Sequence, residues 1–295
     1  LTLQKLRTKE QVAGILFVLP WILGLLLFVG GSVVASFFIS LTDWNLLSPP
    51  EWVGLGNYTK LIFDDPLVRK SLMVSSLYTI VSVPLGLSLA LLIAVGLNRP
   101  CPGRYILRTI YYLPSVISGV AVAMLWQWIY NPEFGLANTI LRFFSLPTPG
   151  WLTSEVWALP ALILMSLWGI GGAMVIYLAG LQTIPPYLYE AALIDGAGRW
   201  NLFRHVTLPM LSPVLFFTII MGVIGSFQVF TQAAIMTNGG PANATLMFVL
   251  YVYRNAFEWL QMGYASALAW LFFLVVFGLT LLNFLLAKHW VYYED

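Results

Sequence analysis

Glu190-Ala191-Ala192-Leu193-Ile194-Asp195-Gly196, followed ten residues on by Val206-Thr207-Leu208-Pro209, is a charged, helix-rich interruption between two long apolar runs, 156–181 and 213–236. Pro185 and Pro186 suit the first turn of a helix, where a missing N–H is no loss, and the residues from Glu190 to Ile194 are good to moderate helix formers. The spacing of Tyr187, Ala191 and Ile194 at i, i+4 and i+7 predicts one apolar stripe, with Glu190 and Asp195 toward the polar side. Gly196 is expected at φ > 0, closing the helix, and Gly196-Ala197-Gly198 leaves little side-chain bulk at the turn. A second helix is expected over 199–206, stopped by Pro209. Helix, small-residue turn, helix and proline would make a compact knob. Taken alone, such a loop suits either an amphipathic hairpin resting on lipid headgroups or a docking element for another protein.

The flanking runs set the setting of that loop. Of 295 residues, 60% are hydrophobic and only 9% charged, which is too much apolar surface for a soluble core to bury. The chain reads as an all-α polytopic membrane protein, a single transmembrane domain over 1–295. Apolar runs at 12–41, 71–98, 110–130, 156–181, 213–236 and 264–287 are each long enough for about 30 Å of hydrocarbon, predicting six transmembrane helices. The first run exceeds a signal-peptide core of about 7–15 residues and is read as an anchor. The short apolar stretch 246–252 is expected to be a re-entrant or interfacial helix.

Basic residues orient the spans. Lys5, Arg7, Lys9, Arg99, Arg104, Arg108, Arg199, Arg204 and Lys288 fall on one side, against Lys60, Arg69, Lys70, Arg142 and Arg254 on the other. That bias predicts both termini, and the segment 182–212, in the cytoplasm. The net charge of +2 is spread over loops, so nucleic-acid binding has no electrostatic footprint. The single cysteine, Cys101, excludes an intramolecular disulfide, and His205 and His289 are too far apart in sequence to suggest a metal site.

No Asp, Glu, Lys, Arg or His lies inside any of the six runs. Ion-coupled carriers usually need such groups within the membrane. A G-x-x-x-x-G-K-[ST] phosphate loop is also missing, so ATP bound by that route, with its Mg, would have to be used by separate partner subunits. The chain is expected to have no catalytic residues and no bound cofactor of its own, and a channel or an inert scaffold stays open at this point.

The spacing Glu-Ala-Ala, three residues, Gly, nine residues, Ile, one residue, Leu-Pro is the cytoplasmic coupling motif of bacterial ATP-binding-cassette (ABC) importer permeases, and the segment 182–212 resembles it, with Val206 for the isoleucine. The resemblance extends to Trp52-Val53-Gly54-Leu55-Gly56-Asn57-Tyr58 and to Thr237-Asn238-Gly239-Gly240-Pro241. It is similar in particular to the maltose/glycerol-phosphate permease family, first-subunit type, in its short form. The resemblance implies the type I importer fold in a bacterial inner membrane, a second related permease, two ABC ATPase subunits and an extracytoplasmic solute-binding protein. It implies that Glu190, Ala191, Ala192, Asp195, Gly196, Ala197, Phe203, Leu208 and Pro209 couple to the ATPase. Matching positions place the substrate path near Trp168, Gly169, Gly172, Gly222 and Ser226.

An uncharged path suits a neutral carbohydrate, whose hydroxyls Trp168, Gln228 and Gln232 are positioned in sequence to orient. Gly172 and Gly222 equally suit close helix packing. The alternative is a non-sugar solute on the same architecture: a phosphorylated polyol, a polyamine or an amino acid.

Overall fold

The computed structural model describes residues 2–99 and 102–292, with the backbone alone for 2–10 and 12. Cys101 and the side chains of Lys5, Arg7 and Lys9 therefore lie outside the described residues. The chain is almost wholly helical: α1 (Thr2–Gly24), a π-turn at Leu25–Gly30, α2 (Gly31–Ser40), α3 (Gly56–Thr59), α4 (Pro66–Asn98), α5 (Arg104–Val116), α6 (Gly119–Ile129), α7 (Leu136–Phe143), α8 (Ala158–Ser166), α9 (Gly171–Thr183), α10 (Pro186–Ile194), α11 (Arg199–Leu202), α12 (Leu208–Phe227), α13 (Thr231–Met236), α14 (Phe248–Tyr253) and α15 (Met262–Ala287). Among the described residues, one short antiparallel pair, Thr42–Asp43 with Glu51–Trp52, is the only strand pairing.

Four stretches are long and apolar enough to cross a membrane: Ala13–Ser40, Pro66–Asn98, Arg199–Met236 and Met262–Ala287. The other two predicted spans are bent pairs. α8 with its 3₁₀ extension to Gly169 meets α9 at 44°, and α5 meets α6 at 102°. Counting each pair as one span gives six. The 110–130 run is thus not one straight crossing. Ile117 is extended (φ −74°, ψ 139°) and Ser118 likewise (φ −54°, ψ 135°), so the helical ladder is interrupted between the two halves. The interruption has a partner: α6 packs on α13, which follows a second break at residues 228–230, and a Cβ on Gly119 would come within 3.8 Å of Gln232 Nε2. The Gln127 amide donates to the Ile235 carbonyl at 3.4 Å.

Contacts group the chain into two compact units. In the first, residues 1–65 and 252–271, Asn57 is buried and its amide donates to the Ser40 and Thr42 carbonyls at 2.9 and 2.8 Å, tying the short strand pair to the end of α2. Gly263 lies so close to Thr42 that a Cβ there would overlap the Thr42 carbonyl, and Phe37 packs edge-on against Trp270 with centroids 5.3 Å apart.

The second unit, residues 66–251 and 272–295, is built on α4. Ser71, Ser75, Thr79, Ser82, Ala90 and Ala94 are buried along it at helical spacing, and these small side chains let α9 and α12 approach closely. The core of this unit joins Ala90, Ala94 and Leu97 of α4 to Met174, Tyr177, Leu178 and Leu181 of α9 and Leu211 of α12. Tyr177 and Thr218 hydroxyls meet at 2.7 Å within it, satisfying two buried polar groups between α9 and α12. The 246–252 stretch is helical from Phe248 and buried: the Phe248 N–H donates to Ser75 Oγ at 2.9 Å and its ring stacks on Phe272.

Candidate functional site

The hairpin that the coupling motif predicts forms between α9 and α12. Pro186 begins α10, and the helix closes on Asp195 with Gly196 at φ +78°. The Gly196 N–H donates to the Leu193 carbonyl at 3.0 Å and the Ala197 N–H to the Ala192 carbonyl at 2.9 Å. This is the paired hydrogen-bond pattern of a Schellman cap, in which the residue after the glycine lies over the residue five before it. Ala192 and Ala197 occupy those two positions, which explains why both are small.

The second half differs from the sequence expectation. Pro209 does not stop the helix that starts at Arg199. A π-turn at Phe203–Thr207 carries α11 directly into α12, with the Leu208 N–H reaching back five residues to the Phe203 carbonyl. The wider turn resets the register, so that Pro209 falls in the first turn of α12, where its missing N–H and its ring are tolerated. Thr207 completes the turn: its hydroxyl donates to the Leu202 carbonyl at 3.3 Å and lies 3.1 Å from the Tyr189 hydroxyl on α10.

The hairpin has two unlike faces. Leu188, Tyr189, Val206 and Met210 pack against the core of the second unit, beside Leu97, Leu181 and Ile184. The opposite face presents Tyr187, Leu193, Ile194 (86% exposed) and Trp200 (68% exposed), an apolar set too large to need no partner. Glu190 and Asp195 are exposed, and neither side chain has a hydrogen-bond or ion-pair partner among the described residues. Phe203 supports Trp200, ring to ring at 5.7 Å. Glu190, Ala191, Asp195 and Gly196 therefore share one exposed turn, with Ala192 and Ala197 half-buried in the cap beneath it. Leu208 and Pro209 belong to the helix that leaves it.

The residues expected along a substrate path do not all come together. Gly169, Gly222 and Ser226 line a common cavity of about 350 Å³ between α4, the α8–α9 bend and α12. Trp168, adjacent to Gly169 on a tight turn, points elsewhere: it lines a separate cavity of about 410 Å³ with Tyr111 and Pro114 and meets Trp126 edge-on at 6.0 Å. Gly172 and Gln228 do not line the shared cavity, Gln228 lying just past the end of α12 at Phe227. The sequence reading missed Gly225, Ser82, Ser166 and Tyr78, which complete the wall. Only Ser82 belongs to the recurrence of small residues along α4, and periodicity does not say which small positions border a void; Ser166 and Gly225 come from α8 and α12, and Tyr78 is not small.

Within the cavity the Ser226 hydroxyl is buried and lies 2.9 Å from both Thr79 Oγ1 and the Val223 carbonyl. Tyr78 is buried and lines the same wall as Ser82 and Ser166. Gly222 has a packing role too, since a Cβ there would sit 3.1 Å from Val83 Cγ1, whereas Cβ positions at Gly169 and Gly225 meet nothing within 4 Å. No charged side chain lines this cavity.

A broken-helix bundle with an exposed hairpin of this kind defines an importer permease. The family model for the binding-protein-dependent transport system inner membrane component matches residues 82–291, and the chain belongs to that family, whose members are membrane components of transport systems. It is 42% identical over 291 residues to the probable ABC transporter permease protein YesP of Bacillus subtilis (strain 168), covering 97% of this chain and 94% of the relative. It is 35% identical to the lactose transport system permease protein LacF of Rhizobium radiobacter, over 96% of both chains, and 34% identical to the trehalose/maltose transport system permease protein MalF of Thermococcus litoralis, over 94% of both. A chain in the crystal structure of a bacterial ABC transporter involved in importing the acidic polysaccharide alginate shares the fold, with a TM-score of 0.83 at 24% identity over 98% of this chain and 99% of that one.

Proposed function

We propose that this chain forms half of the translocation path of a carbohydrate importer and transmits ATP-driven motion to it through the hairpin 182–212. The observation that carries this reading is the hairpin's split character. One face is fixed to the inner ends of α4, α9 and α12, and the other offers exposed Ile194, Leu193, Tyr187 and Trp200 around a turn of minimal bulk. In this reading a force applied to the outer face passes to α12 through the unbroken helix from α11, and to α4 and α9 through the packed face. In this reading the hairpin and both termini face the cytoplasm. Two ATPase subunits bind and hydrolyse ATP with Mg, a second permease closes the cavity, and a solute-binding protein delivers the solute from outside. The sugar permeases among the relatives and the uncharged cavity support a neutral carbohydrate over a charged solute.

The stable particle is expected to hold one copy of this chain, one related permease and two ATPase copies, because each hairpin meets one ATPase and the cavity is only half enclosed by this chain. Native mass measurement of the detergent-solubilised complex checks this, and a homodimer of this chain would overturn it. Uptake into proteoliposomes with a panel of oligosaccharides, polyol phosphates, polyamines and amino acids decides the solute. Uptake confined to a non-sugar would replace the carbohydrate reading.

The cavity offers a cleaner occlusion test than sequence alone would choose. Gly225→Trp places its Cβ where nothing stands within 4 Å and its ring adds bulk to the cavity wall, so it is expected to block uptake while assembly and basal ATP hydrolysis persist. Gly222→Trp is expected to lower assembly as well, because its Cβ already presses on Val83. Wild-type uptake by Gly225→Trp would place the path elsewhere.

A further inference from the structure

A second groove lies away from the glycine-lined cavity. It has a volume of about 540 Å³ and runs between the first half of α4 and α8. Its walls are apolar, with Met73, Leu77 and Val81 from α4 facing Ile163 from α8, and two charges of opposite sign, Lys70 and Glu155, stand among the lining residues. Both are exposed, and neither has a hydrogen-bond or ion-pair partner among the described residues.

The placement of the two charges is not arbitrary. Lys70 immediately precedes the apolar run 71–98 and Glu155 immediately precedes the run 156–181. α4 and α8 both start at that end and pack side by side, so Lys70 and Glu155 both stand at the end of the groove where hydrocarbon gives way to headgroups. From Lys70 to Val81 the groove descends about 16 Å along the helix axis. That is close to half of a hydrocarbon core of about 30 Å, the depth of a single leaflet. A partner transmembrane helix would call for an apolar groove through the whole core. This one has the length of one acyl chain and a dipolar mouth.

We infer that the groove holds one phospholipid of the leaflet on that side, with a zwitterionic headgroup ending in a primary ammonium, as in phosphatidylethanolamine. Lys70 meets the phosphate, Glu155 accepts hydrogen bonds from the headgroup ammonium, and an acyl chain lies along Met73, Leu77 and Val81. A quaternary ammonium, as in phosphatidylcholine, has no N–H to donate to Glu155, and a purely anionic headgroup is repelled by it. The site therefore selects by headgroup, not by charge alone.

The test uses the assembled transporter in detergent, titrated separately with phosphatidylethanolamine, phosphatidylcholine and phosphatidylglycerol of matched chains, with bound lipid counted by native mass spectrometry. The wild type is expected to retain phosphatidylethanolamine over phosphatidylcholine by about fivefold, the scale of a partly exposed charge pair. Glu155→Gln should erase that preference, and Lys70→Gln should weaken retention of all three. Leu77→Trp, which fills the groove beneath the headgroup, should remove the specific lipid while both charges remain. Equal retention of the three lipids by the wild type would overturn the inference. So would a preference unchanged in Glu155→Gln and Leu77→Trp, or capture of the second permease, in place of lipid, by a photo-crosslinker at position 77.

Discussion

Replacing Gly196 by Asp is expected to abolish both solute-stimulated ATP hydrolysis and uptake in proteoliposomes, the largest functional effect of any single change in the hairpin. Two costs combine. The backbone at φ +78° sits in the left-handed region, where any side chain adds about 1 kcal/mol, less for Asn and Asp than for others. That cost alone would loosen the cap formed by the Gly196 and Ala197 N–H groups without destroying it. The second cost is the carboxylate itself, placed beside exposed Ile194 and Leu193, where the proposed docking would exclude water. Gly196→Asn separates the two, because Asn accepts the same backbone conformation and carries no charge. The expected order of residual activity is Glu190→Ala above Gly196→Asn above Gly196→Asp. Glu190 is exposed and its side chain has no hydrogen-bond or ion-pair partner among the described residues, so its loss removes chiefly what it offers a partner. Wild-type rates for Gly196→Asp would return this hairpin to a membrane-surface role.

Gly171→Ala is expected to produce the largest loss of stability. A Cβ at Gly171 would lie 2.2 Å from the Tyr111 carbonyl oxygen and 2.6 Å from Tyr112 Cα, both backbone atoms of α5 that no rotamer change can move. Accommodating even one methyl requires α5 and α9 to separate, at a cost at the upper end of the roughly 1–3 kcal/mol typical of overpacked cores. The assembled complex should show lower yield and a clearly lower melting temperature. Gly169→Ala, two residues away with open space at its Cβ, serves as the matched control and should melt as the wild type does. Equal melting of Gly171→Ala and the wild type would mean that α5 and α9 do not pack this closely in the assembled transporter.

These two glycines also mark where the sequence could be read and where it could not. Gly196 was legible because its role is local: a helix former run, a small-residue turn and a polar flank specify a cap within a dozen residues, and the predicted φ > 0 is what the backbone adopts. Gly171 was not, because its constraint comes from Tyr111 and Tyr112, some sixty residues earlier in the chain. The same holds for Gly180, whose Cβ would press on Leu211 and Val214. Trp168 and Gly169 are neighbours in sequence and equally plausible for the path, yet they face different cavities because consecutive residues on a tight turn point in different directions.

The sequence by itself determined the membrane-embedded, all-helical class and the hairpin with its capped turn. Both follow from hydrophobicity, charge bias and short-range hydrogen bonding, all of which are properties of contiguous segments. Tertiary structure alone decided three things. The 110–130 run breaks by 102° because α5 packs on α9 while α6 packs on α13. Pro209 is carried through a continuous helix because a π-turn, held by Thr207 and Tyr189, resets the register ahead of it. The cavity includes Gly225, Ser166 and Tyr78 because a void is bounded by whichever side chains stop short of it, and that depends on how three separate helices meet.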